Sequence, residues 1–137
     1  MTQARKPYAG LAAITFAVAA LVSCPSSNPN ASRVLISIAV TPSTANAASP
    51  NGQVTFTATG TFNQPPITDP LSFTAPYTGS FVVDNPDNQT IATILSTGTG
   101  TITVECASAG NVNITASADS NNQSGTVVSG NAQLICR

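Results

Sequence analysis

The stretch Val54-Thr55-Phe56-Thr57-Ala58-Thr59 alternates strictly, with Val54, Phe56 and Ala58 on one side and threonines on the other. Successive side chains of a β-strand point to opposite faces, so this reads as a strand with one buried and one hydroxyl-bearing face. The same period appears upstream, where Val34, Ile36, Ile38 and Val40 are expected inward and Leu35, Ser37, Ala39 and Thr41 outward. Downstream, Ile102, Val104 and Cys106 share a face, as do Val112, Ile114, Ala116 and Ala118, and then Ala132, Leu134 and Cys136. Phe81 to Asp84 and Thr90 to Leu95 are two further predicted strands. Turns are marked by Ser49-Pro50-Asn51-Gly52, Asn85-Pro86-Asp87-Asn88 and Ser96 to Gly100. Residues 60–80 hold Pro65, Pro66, Pro70 and Pro76, which exclude a central strand; a long loop is expected there, with a short edge piece at Leu71 to Thr74. Short strands, regular turns and no helical period after the N-terminal segment predict an all-β fold, an antiparallel β-sandwich of about seven strands over 33–137.

Charged residues make up only 7% of the 137-residue chain and histidine is absent. Without His there is no ordinary Ser-His or Cys-His pair, and without Lys after Lys6 there is no Ser-Lys dyad, so an enzyme is not expected. Beyond residue 23 the cations are Arg33 and Arg137, against Asp69, Asp84, Asp87, Glu105 and Asp119. Two well-separated arginines cannot track a phosphate backbone, which argues against a nucleic-acid partner.

The N-terminus has three parts: a basic pair at Arg5 and Lys6, an almost uninterrupted apolar run from Tyr8 to Val22, and small residues after it. This is the layout of a secretory signal peptide over 1–23, and the run falls short of the roughly 20 residues that span a bilayer as a helix. Leu21-Val22-Ser23-Cys24 resembles the lipobox of bacterial lipoproteins. The resemblance implies that Cys24 becomes the acylated first residue of the mature chain, a lipid anchor holding the protein to a membrane of the cell envelope. The alternative is an ordinary signal cleaved nearby, which leaves a secreted protein. Cys24 and the tether make up residues 24–32; residues 25–32 lack apolar periodicity, and these eight residues fully extended reach at most roughly 25–30 Å.

Leu35 to Pro42, Val54 to Gly60, Ile91 to Ile94 and Ala109 to Ala116 together resemble the bacterial Ig-like domain family of the group 2 type, over about residues 33–137. That family usually carries an aromatic residue, often Trp, before the Asp-containing turn; this chain has no Trp, and Phe81 or Val83 takes the place. The resemblance implies an Ig-like sandwich that serves as a spacer, stalk or adhesive module, with a protein or glycan partner at the cell surface and no catalytic motif or cofactor.

Three cysteines are an odd number for an exported protein. Acylation of Cys24 would leave Cys106 and Cys136, both of inward parity, to form a disulfide, with two buried free thiols as the alternative. No metal centre is expected: Asp84 and Asp87, with Asn85 and Asn88, read as turn and capping groups, a weak calcium site being the competing reading. Asn30, Asn88, Asn113 and Asn122 begin glycosylation triplets, which chance supplies readily in a chain so rich in Ser and Thr. Phe73 and Tyr77, in the Pro-rich segment, are the candidate ligand contacts, or else they cap the open end of the sandwich. These readings give a non-enzymatic lipoprotein displaying one Ig-like domain for adhesion or protein contact. The competing function is a secreted carbohydrate- or ligand-binding module using the 60–80 loop.

Overall fold

A computed structural model describes residues 33–86, 89–121 and 125–137. Nine strands are present among them: β1 (Leu35–Thr41), β2 (Thr44–Ala47), β3 (Gln53–Phe62), β4 (Thr68–Pro70), β5 (Gly79–Asp84), β6 (Ala92–Gly98), β7 (Thr101–Cys106), β8 (Gly110–Asp119) and β9 (Val127–Cys136). They form two sheets. One runs β1-β3-β7-β6, with β4 attached to β3; the other runs β2-β9-β8-β5. The inner faces of the two sheets enclose one core, in which Phe56, Ile102, Val104, Ile114 and Leu134 are fully buried. The alternation of apolar and hydroxyl residues in β3, β7, β8 and β9 is what gives each of these strands an inner face.

Five features differ from the sequence expectation. In β1, Leu35 rather than Val34 or Ile36 turns inward: Leu35 pairs with Phe62 and Ser37 with Thr61, leaving Ile36 as the extra residue of a β-bulge. A bulge shifts the side-chain alternation by one, so Ile36 is 58% exposed while Ile38 and Val40 remain in the core. Second, residues 60–80 are not one long loop. β3 continues through Phe62, a tight reversal at residues 63–67 leads into β4, and β5 begins at Gly79. Proline is compatible with this path because Pro65 and Pro66 fall in the reversal and Pro70 ends a short strand. The edge piece is therefore Thr68–Pro70, and Leu71, just after it, is a buried core residue. Third, the sheets are not wholly antiparallel: β2 pairs with β9 in parallel, Thr44 opposite Gln133 and Ala47 opposite Cys136. Fourth, the described strands number nine rather than about seven, the additions being the short β2 and β4. Fifth, the strand expected at Thr90 to Leu95 is shifted to Ala92–Gly98, and a second bulge between Ile94 and Ser96 leaves Leu95 exposed.

β1 and β2 together run beside β9 in the same direction. The Leu35 N–H donates to the Ser120 carbonyl and the Ser120 N–H to Thr126, just ahead of β9; at the other end the Arg137 N–H donates to Ala47. Between these points Gly130 lies against β1, and a Cβ there would stand 2.2 Å from the Ile38 carbonyl oxygen. Only a residue without a side chain allows β9 to approach β1 this closely and close that flank of the sandwich. Residues 33 and 137 thus lie at opposite ends of the domain.

Candidate functional site

The densest cluster of polar contacts lies at the end where the chain enters the domain, and its centre is Arg33. The guanidinium carbon sits 3.6 Å from the centroid of the Phe62 ring, a cation–π contact. One terminal nitrogen donates to Asp69 Oδ2 at 3.3 Å and the other to the Pro66 carbonyl at 2.5 Å. The Arg33 side chain is 11% exposed and that of Asp69 44%, so the cation is the buried member of the pair. Its Nε is buried without a hydrogen-bond partner, a cost the stacking and the two terminal contacts must offset. The Arg33 carbonyl accepts two hydrogen bonds, from the Tyr77 hydroxyl and from Asn121 Nδ2, each at 3.0 Å. The next residue is held as well: the Val34 N–H donates to Asn63 Oδ1 at 2.7 Å, and the Asn63 N–H returns a bond to the Val34 carbonyl at 3.1 Å. In the sequence Arg33 registered only as one of two remaining cations; nothing local points to partners at positions 62, 66, 69, 77 and 121.

Phe73 and Tyr77, the candidate ligand contacts, are half-buried and packed on the core. The Tyr77 ring lies 5.0 Å from that of Phe62, and Phe73 meets Phe81 edge-on at 5.2 Å. Phe73 has φ 55°, in the left-handed region that costs a bulky residue about 1–2 kcal/mol, and its packing against Phe81 offsets that cost. Both rings face inward because the 71–78 segment folds over the mouth of the sandwich, which is the capping role weighed above.

Cys106 closes β7 and Cys136 closes β9, so the two stand in different sheets with Cα atoms 5.7 Å apart, at disulfide distance and both buried. They lie at the end of the domain opposite Arg33. Cys24, the signal segment and the tether fall outside the described residues.

At the turn for which calcium was the competing reading, Asn85 is committed to backbone groups. Its Oδ1 accepts from the N–H of Ile91 and of Ala92 at 3.0 Å each, and its Nδ2 donates to the Ala92 carbonyl at 2.9 Å. One side chain thereby carries the chain from β5 toward β6. Asn85→Ala would leave those groups without their partner, and we expect it to cost about 2 kcal/mol and lower Tm by roughly 10 °C in a thermal melt. Asp87 and Asn88 lie outside the described residues, and among the described ones no group of three or more His, Cys, Asp or Glu is placed to hold a metal ion. Glu105 faces outward and accepts from Gln53 Nε2 at 2.8 Å across the β3–β7 pair. Of the glycosylation triplets, Asn113 is exposed on β8, whereas Asn30, Asn88 and Asn122 fall outside the described residues.

No protein-family model matches the chain, and no curated protein matches it in sequence.

Proposed function

We propose that this chain is a non-enzymatic lipoprotein of the bacterial cell envelope, tethered through Cys24 and displaying one Ig-like domain for adhesion or protein contact. The observation that carries the reading is the strand order. A sheet β1-β3-β7-β6 opposite a sheet β9-β8-β5 corresponds, in chain order, to the ABED and CFG sheets of an Ig sandwich, with β2 an added segment beside the last strand. The position of the ends supports display: the domain begins at Arg33, and the turns around 48–52 and 107–110, with residues 85, 86 and 89–91, lie at the far end, directed away from any surface that holds Cys24. Exposed Ile94 and Leu95 on the edge strand β6 add apolar area for a protein partner. The competing reading, a ligand module built on residues 60–80, finds less support, because Phe73 and Tyr77 are used in packing and their segment sits at the tethered end.

The test is intact-mass spectrometry of the membrane fraction alongside Cys24→Ser. The expected mature chain begins at Cys24 and carries acyl chains, and the variant leaves the membrane fraction almost completely, since several buried acyl chains provide the whole anchorage. An unmodified wild-type chain in the soluble fraction would remove the lipoprotein reading and leave a secreted domain.

A further inference from the structure

The Lys and Arg residues of this chain are Arg5, Lys6, Arg33 and Arg137. Between residue 7 and residue 136, a protease that cuts after basic residues therefore has a single bond to attack, Arg33–Val34. We propose that this bond is a cryptic processing site at the junction of tether and domain, closed by the fold and opened by local release of the 62–78 segment. Hydrolysis there adds one water across the bond, leaves a carboxylate on Arg33 and an amine on Val34, and parts residues 34–137 from everything before them.

A protease of this class must draw the basic side chain into a pocket, place the scissile carbonyl against its own donors, and run the flanking backbone through its cleft. The fold occupies each of these groups. The guanidinium is stacked on Phe62 and bonded to Asp69 and Pro66. The scissile carbonyl already accepts from Tyr77 and Asn121. The scissile N–H, that of Val34, donates to Asn63, and Leu35 enters the hydrogen-bond pattern at once through Ser120. Most of these partners belong to one stretch, Phe62 to Tyr77, and its short strand β4 is held by only three paired positions on β3. Release of that stretch frees the side chain, the N–H and one of the two carbonyl bonds together; it exposes Phe62 and Leu71 but leaves the β3–β7 and β8–β9 pairings in place. Cleavage then follows the population of this locally open state rather than that of the unfolded chain.

The lock does not depend on the lipoprotein reading; only one consequence, the shedding of the domain from a membrane, does. The experiment uses the full exported chain, in whichever fraction it is recovered, with trypsin as the protease and intact mass as the readout for residues 34–137. Native wild-type protein is expected to be cut at Arg33–Val34 about a hundredfold more slowly than the reduced, alkylated and unfolded chain. Tyr77→Phe keeps the ring on Phe62 and removes only the hydroxyl; its native cleavage should be about fivefold faster than wild type. Ile102→Val, a core truncation away from Arg33, should cut at the wild-type rate, and Arg33→Gln should yield no 34–137 fragment. Native wild-type cleavage at the unfolded rate, or Tyr77→Phe no faster than wild type, would overturn the proposal. So would equal acceleration by Ile102→Val, because cleavage would then report global unfolding.

Discussion

Replacing both Cys106 and Cys136 by alanine is expected to lower the stability of the domain by about 3.5 kcal/mol and Tm by roughly 15 °C. The bond joins the last residue of β7 in one sheet to the last residue of β9 in the other, so it fixes the two layers to each other where the final strand leaves the core. Most of the effect belongs to the unfolded chain: without the link, a loop with a sequence separation of 30 regains its freedom. The native fold loses only two small apolar groups. In a denaturant titration the midpoint should fall while the m-value rises, because the unlinked chain exposes more surface on unfolding. An unchanged midpoint and m-value would mean that the pair is not bonded in the protein.

Phe56→Ala is expected to cost about 3–5 kcal/mol, read as a loss of midpoint at nearly constant m-value. Phe56 is wholly buried in the middle of β3, opposite Ile102, and β3 is the strand on which β1, β4 and β7 all pair. Removing its ring opens a cavity that rigid neighbours fill only in part, behind the β3–β7 pairing in which it stands opposite Ile102. Against the roughly 5–15 kcal/mol that holds a typical domain, this one change removes a large share of the margin. Phe56→Leu, which refills most of the volume, should recover most of the loss, whereas a mere surface role for Phe56 would make both variants neutral.

The parts of the fold that could be read from the sequence are those where one physical rule acts alone. In β3, β7, β8 and β9 the two-residue period decides which side chains are buried, and Phe56, Ile102, Ile114 and Leu134 lie where alternation puts them. The same reading places Cys106 and Cys136 on inner faces, and the structure brings them together. It fails at β1 because an inserted residue reverses the parity: Val34 and Ile36 look as apolar as Leu35, and only pairing with Phe62 and Thr61 selects among them. It fails again at residues 60–80, where four prolines suggest a long loop with an edge piece at Leu71 to Thr74, although three of them fall in a reversal and at the end of a strand at Thr68–Pro70. The Arg33 cluster was not legible at all. Its members are brought together by strand pairing between distant residues, and a lone arginine next to a polar tether carries no local mark of burial.

The opposed positions of residues 33 and 137 have a mechanical consequence. A pull applied between residue 33 and the turns at the far end acts along the strands rather than across them. β2 and β9 run side by side in parallel, and β1 lies against β3 in antiparallel register over six paired positions, so such a load shears these ladders and strains their hydrogen bonds simultaneously. Opening one bond at a time from an end would require a force perpendicular to the strands, which a pull between these two ends does not deliver. The Arg33 contacts sit at the first described residue, upstream of every described strand, and would slip before the sandwich does.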